Sequence, residues 1–362
     1  MAKGTTYGPE SIEFVDPQSG AEIVQLTSNP TISHNLYMEN CSFTPDSKRV
    51  IFLSRRSSER SAPFDLFRVD VSGRDLVQLT EHDDLTGAVL SLDGKTAFVS
   101  AGNELRSVDL EDFGEKVLAR LDGASVGNPS VGGNYVFGRV GYGPDSSAVI
   151  RCNVDGSDFR ELRRGTRVGH INASRTGNWV AWIETAEINE FNTQAWYVMR
   201  ADGSDNHRWA VQNWAHSAWV GATDRMQGTL LPPGHGIVWC SPEDRDPSKA
   251  ETICTGPYFW HAGASLDGEW IVSDTNWPDI GLQLVHLPSG RFQTVCLSQS
   301  SNAGGQHSHP HPSLSPDSTK VLYNSDRTGI PQVYVANVPE YLQDEVRTGK
   351  LLRRHRVGPR RP

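Results

Sequence analysis

Apolar residues in this chain fall in short runs, each bounded by turn-forming pairs such as Pro-Asp or Asp-Gly. The first complete example passes from Cys41-Ser42-Phe43 through Thr44-Pro45-Asp46-Ser47 into Arg49-Val50-Ile51-Phe52-Leu53-Ser54. Asp65-Leu66-Phe67-Arg68-Val69-Asp70 and Leu76-Val77-Gln78-Leu79-Thr80 follow it. Pro, Asp and Gly meet the φ and hydrogen-bonding demands of tight turns, and β-branched and aromatic residues suit a pleated surface. The pattern predicts a unit of four antiparallel strands.

The turn recurs near Leu90-Ser91-Leu92-Asp93-Gly94, Pro129-Ser130-Val131-Gly132-Gly133, Ile171-Asn172-Ala173-Ser174, Ala218-Trp219-Val220-Gly221, Ala262-Gly263-Ala264-Ser265 and Pro312-Ser313-Leu314-Ser315-Pro316-Asp317. With the first copy this makes seven units at a spacing of roughly 45 residues, the period of propeller blades. The expected fold is all-β, a seven-bladed β-propeller with four-stranded blades, occupying residues 1–340 as one domain. A two-domain α/β layout has little support, because strands do not alternate with long amphipathic helices. Ile12-Glu13-Phe14-Val15 and Glu22-Ile23-Val24-Gln25 resemble the later strands of a blade that lacks its beginning. The N-terminal segment is therefore expected to complete the C-terminal blade and pair an otherwise open edge. Residues 341–362 read as a charged, loop-like tail, its basic end from Arg353 to Pro362 solvated.

Composition narrows the partners. The chain has 362 residues and a formal net charge of -9 without a basic block, which argues against nucleic acid or an anionic membrane as partner. Five cysteines without paired spacing imply neither a disulfide framework nor a zinc knuckle, and reduced thiols are expected. No apolar leader or membrane-length stretch is seen, so the protein is expected to be cytoplasmic.

The most chemically dense stretch is Gly305-Gln306-His307-Ser308-His309-Pro310-His311-Pro312. Imidazole is the commonest metal ligand and a carboxamide oxygen is a neutral companion donor. If Ser308 to Pro312 is extended, His309 and His311 project to one side and Gln306 reaches over from the preceding turn, while His307 points away. Other histidines occupy comparable places. His34 precedes the first unit, His170 stands before Ile171, His216 before Ala218 and His261 before Ala262. In a propeller the innermost strands line a central channel, so these side chains should meet in one pocket.

The segment from Gln306 to Asp317 resembles the corresponding part of the oligogalacturonate lyases, cytoplasmic seven-bladed propellers that cleave short pectin fragments. His34-Asn35-Leu36-Tyr37, Phe43-Thr44-Pro45-Asp46, Gln78-Leu79-Thr80, Ala201-Asp202-Gly203-Ser204 and His216-Ser217-Ala218-Trp219 are similar as well. The resemblance implies a divalent metal, typically Mn2+, held by Gln306, His261, His309 and His311, with His216 as the base. The family's arginine in an Arg-aliphatic-Trp context aligns here with Gln194-Ala195-Trp196. Arg200 or Arg208 is the expected substitute.

The implied reaction is β-elimination from a 4-linked uronate, in which a base removes the C5 proton beside a carboxylate. Neutral ligands preserve the ion's charge for stabilising the resulting enolate. The expected partner is an anionic uronate oligosaccharide. Arg55, Arg56, Arg139 and Arg200 are candidates to grip its carboxylates, and His34, His170, Gln194, Tyr37, Trp219 and Trp260 to line its path. Two other readings remain open at this point: the same pocket acting on another uronoside or in epimerisation, and a non-catalytic propeller scaffold.

Overall fold

The computed structural model describes residues 2–59, 61–187, 193–209, 214–276, 278–303 and 305–351. Among the described residues, seven antiparallel sheets succeed one another, five with four strands and two with five. Innermost in each is the short strand before the turn: Ser33–Asn35, Leu85–Leu90, Ser125–Gly132, Val168–Ala173, Trp214–Trp219, Phe259–Ala264 and Ser313–Leu314. Along most of the ring the first strand of one sheet packs against the next sheet's first strand, which surrounds a channel with inner-strand side chains.

The core consists of layers between sheets. Ile51, Leu66 and Leu79 of the first blade meet Leu90, Val99 and Val108 of the second. Trp179, Ala181 and Trp196 of the fourth meet Trp219, Met226 and Val238 of the fifth. Strands covered on both faces lose the in-out alternation of a half-exposed sheet, which is why the sequence shows continuous apolar runs such as Val50-Ile51-Phe52-Leu53.

Closure is as the sequence predicts. Ile23 pairs with Ala336 and Val24 with Val335, so Glu22–Gln25 becomes the fourth strand of the last blade and Ile12–Val15 its fifth. An addition was not anticipated: Thr6–Tyr7 pairs with Leu76–Gln78 and gives the first blade a fifth strand. The N-terminal segment thus belongs to two neighbouring blades.

The loop-like reading after the last strand needs correction. Glu340–Thr348 is an α-helix whose Leu342 and Val346, one turn apart, are buried in the layer containing Trp270 and Leu284. It ends on Gly349 at φ 72, whose N–H bonds the Glu345 carbonyl at 2.8 Å. The basic stretch from Arg353 onward lies outside the described residues. All five cysteines are free thiols. Among the described residues no helix is long and apolar enough to cross a membrane.

Candidate active site

One backbone feature builds the site. In six blades the turn is closed by an N–H that bonds the carbonyl five residues on: Thr44 to Arg49, Ser91 to Thr96, Ser174 to Trp179, Val220 to Arg225, Ser265 to Trp270 and Ser315 to Lys320. Four residues before each of these donors stand Asn40, Gly87, His170, His216, His261 and His311. In the third blade Asn128 holds the matching place, in a bulge where the pairing slips between Gly127 and Ser130. Similar slips flank His170 and His216, and His261 sits in a bulge displaced by one residue. Asn128, His170, His216 and His311 have φ values of 49, 48, 49 and 43, the left-handed region in which a side chain is turned out of strand register. Bulging redirects these side chains into the channel, at a local conformational cost of about 1–2 kcal/mol each.

Four consecutive blades therefore offer an imidazole at one level. One ligand atom each of His261, His309 and His311 lies within 4.8 Å of the others. His261 is 1% exposed and His311 4%. Their rings are 4.3 Å apart, and the His216 ring is 4.4 Å from that of His261. Trp260 packs against both His261 and His309, at 4.4 and 4.3 Å between ring centres.

The hydrogen bonding is selective. His261 Nδ1 bonds Asp274 Oδ2 at 2.9 Å and its main-chain N–H donates to Oδ1 at 2.6 Å. With the proton on Nδ1, Nε2 keeps a free lone pair. His309 Nδ1, His311 Nε2 and His216 Nδ1 are buried without a hydrogen-bond partner among the described residues. Burial holds His311 and His309 below the ordinary imidazole pKa, and neighbouring His261 adds to the effect. His216 is pushed down to about 2, chiefly by burial and then by His261. His261, His309 and His311, with one ligand atom each within 4.8 Å of the others, form a donor set that suits a divalent cation.

His311 of this cluster, together with His170, lines a cavity of about 460 Å3, within the range of small-ligand sites. Its walls include His34, Tyr37, Asn40, Asn128, His170, Gln306, His307 and His311. Gln306 is exposed at its rim, in the short turn Gln306–Ser308. Tyr37 stands 4.7 Å from His311, ring to ring, and 5.9 Å from His170.

Several expected positions differ. His309 and His311 do converge, but through a left-handed kink at His311 and not by strand alternation. His307 does not point away: it lines the cavity and stacks on His34, with ring centres 4.5 Å apart. His34 is not the first blade's counterpart of the other histidines, a place held by Asn40. It lies nearer the mouth, where its Nδ1 bonds the Asn35 carbonyl at 2.9 Å.

The arginines divide. Arg200 ends the strand Thr193–Arg200 beside Trp179, stacks on that ring at 3.9 Å and pairs with Glu243 at 2.7 Å. It lies on the third strand of its blade, two strands out from the inner strand that carries His170. The expected catalytic substitution by Arg200 is thereby corrected. Arg56 is also withdrawn, since it pairs with Glu10 and packs over Tyr7 and Phe67. Arg139 donates through Nε to the Val168 carbonyl at 2.6 Å, two residues from His170. Arg55 lies over Phe64 at 4.5 Å, beside the His34 and His307 pair. Trp219 is buried, its Nε1 donating to the Asn172 carbonyl at 3.0 Å, so it belongs to the packing. The side chain of Gln194 lies outside the described residues.

Sequence reading missed Asp274. The available signal was a carboxylate in the apolar strand Trp270–Thr275, across the hairpin from His261.

Fold and cavity together define a seven-bladed β-propeller with a histidine-lined pocket at one end of its channel. No family model matches the chain. It is similar to the oligogalacturonide lyase of Pectobacterium atrosepticum and the oligogalacturonate lyase of Dickeya dadantii, 22% identical to each over 94% of this chain and 99% of theirs. The oligogalacturonate lyase of Vibrio parahaemolyticus superposes with a TM-score of 0.80 at 20% identity, over 94% of this chain and all of that one. An oligogalacturonate lyase solved in complex with manganese superposes equally well, at 20% identity over 95% of this chain and 100% of its own. The likeness seen in the last blade thus extends over nearly the whole chain.

Proposed function

We propose that this protein is a metal-dependent carbon-oxygen lyase that cleaves short uronate oligosaccharides of the oligogalacturonate type by β-elimination. The observation that carries the reading is the convergence of three imidazoles, His261, His309 and His311, with ligand atoms within 4.8 Å of one another and His216 beside them. Gln306, on the wall of the same cavity, completes an uncharged donor set for a divalent ion, manganese by likeness to the related enzyme. A divalent ion held there supplies positive charge to the uronate carboxylate and lowers the cost of the negative charge that follows loss of the C5 proton.

The chain's own residues account for the remainder. His216 stands free of charge and accepts the C5 proton, and its unpartnered Nδ1 leaves a lone pair available. An anionic sugar beside it raises its basicity in the complex, opposing the effect of burial. Tyr37 and His170 flank the sugar, and Arg55 and Arg139 supply charge toward its other carboxylates. His34, with its proton committed to the Asn35 carbonyl, presents Nε2 as an acceptor for a sugar hydroxyl. The five reduced thiols accord with a cytoplasmic setting.

Metal analysis of the purified protein, followed by ultraviolet detection of the 4,5-unsaturated product from digalacturonate, tests the reading. Bound metal with new absorbance supports it, and neither points to a binding scaffold. Glutamine at position 194, where the resemblance implies an arginine, favours one alternative: the same pocket acting on a different uronoside. Metal binding with product only from another member of a uronate disaccharide panel would establish that alternative.

A further inference from the structure

The cavity ends on a carboxyl group that the reaction outlined so far has not used. Glu39 precedes Asn40 in the inner segment of the first blade and lines both the main cavity and the smaller space beneath it. Its side chain reaches across the channel to the fourth blade, where Asn172 Nδ2 donates to Oε2 at 3.4 Å, its one side-chain hydrogen bond among the described residues. Asn172 lies two residues beyond His170 toward the turn, so the carboxyl forms the floor under the ring of imidazoles. Among the described residues it forms no ion pair. A buried carboxylate without a cation is costly, and burial raises this group to about 8. The groups facing it are Tyr37 on its own segment, Asn172 opposite, His170 and His311 above, and Cys41 and Arg175 in the space below.

We propose that Glu39 is the general acid of this site, giving its carboxyl proton to the oxygen that departs from C4. The inference rests on the lyase reading above. His216, on the fifth blade, takes the C5 proton, and the electron pair of that bond forms the C4–C5 double bond. The C4–O bond breaks with its pair passing to oxygen, which receives the proton from Glu39. The site is left with an imidazolium and a carboxylate, and a proton returns from the first to the second through water before the next turnover. Base and acid come from different blades and do not compete for one position. A protonated floor also avoids repelling an anionic sugar.

The test compares two substrates with the manganese-loaded protein. Digalacturonate expels an alkoxide that needs a proton, whereas a 4-O-(4-nitrophenyl) ether of a methyl galacturonoside expels a phenoxide that does not. Glu39→Gln should lower kcat on the disaccharide by about 10²- to 10⁴-fold, leave the aryl ether within about tenfold, and leave manganese binding unchanged. Activity on the disaccharide should fall as pH rises through the ionisation of Glu39, and that alkaline limb should be missing from the variant. Equal losses on both substrates overturn the proposal, as does a leaving-group-dependent loss in Tyr37→Phe with none in Glu39→Gln. Should Glu39→Gln not fold, the wild type alone decides, since an alkaline limb equally present with the aryl ether overturns the proposal. A wild type that forms no unsaturated product from either compound sinks the lyase reading and this inference together. A wild type active on both, with Glu39→Gln unchanged, overturns this inference alone.

Discussion

The carboxylate of Asp274 takes two hydrogen bonds from one residue, His261: the main-chain N–H donates to Oδ1 at 2.6 Å and Nδ1 bonds Oδ2 at 2.9 Å. Both residues are almost wholly buried, at 2% and 1% exposure, so the pair fixes the ring's orientation and its tautomer together. Asp274→Asn should therefore weaken metal binding by about 10- to 100-fold. An amide donor facing Nδ1 drives the ring proton to Nε2, the nitrogen required for the ion. Calorimetric titration with manganese checks this, and unaltered affinity in a folded variant would rule out the positioning role.

The ligand histidines and His216 should separate in mutagenesis. His309→Ala is expected to lose the ion. His216→Ala should retain it and lose about 10²- to 10⁴-fold in kcat. Metal content and turnover measured on the same preparations discriminate the two roles, and release of metal by His216→Ala would reverse the assignment.

Arg200 is tied to Trp179 and Glu243 at the far end of its strand. Arg200→Ala should leave kcat and KM within about twofold, the range expected for a surface substitution remote from a site. A tenfold fall in kcat would mean that the strand end communicates with the pocket.

Acid should destabilise the fold in part through His34. Burial, then His307, depresses His34 to about 3, so the imidazole is neutral in the folded protein. In the unfolded chain it protonates near its ordinary value of about 6.5. Between those values the unfolded state binds the extra proton, so stability rises with pH through the window and is lost as pH falls through it. For metal-free protein, His34→Gln should flatten the stability-pH slope there by up to about 1.4 kcal/mol per pH unit, one proton's worth. Urea unfolding at pH 4, 5 and 6 would reveal it, and parallel slopes would contradict it.

Ring closure gives a further check. Ile23 is buried in the last interblade layer and pairs with Ala336, more than three hundred residues away along the chain. Ile23→Ala should cost about 2–4 kcal/mol of stability, as for other buried aliphatic truncations. Denaturant unfolding measures the loss, and a change below about 0.5 kcal/mol would show that the N-terminal strand is dispensable.

The fold was legible because turn chemistry and strand composition repeat at one period, and because Ile12–Val15 and Glu22–Gln25 lack the start of a blade. Thr6–Tyr7 and Glu340–Thr348 were harder to see, one being only two residues long and the other depending on tertiary burial of Leu342 and Val346. The convergence of His170, His216, His261 and His311 followed from counting positions before each turn. His34 was misplaced by the same count, because it stands six positions ahead of Asn40, the residue that holds the equivalent seat in its blade. His307 was misdirected because a period of two was applied to a stretch that is a tight helical turn. Asp274, Glu39 and the outward placement of Arg200 depend on which strand end faces the channel mouth, and residue type alone does not carry that information.

The inner ring has seven equivalent seats, and only the four on consecutive blades hold imidazoles; Asn40, Gly87 and Asn128 occupy the other three. An assembly of repeats has thereby become lopsided: one arc can anchor a cation, while the opposite arc offers a small residue and two amides against which a pyranose can lie. On the proposed reading, cation anchoring and sugar contact fall on separate arcs of the ring. Exchanges at Gly87 or Asn128 can then alter which sugar is accepted without disturbing the anchoring arc.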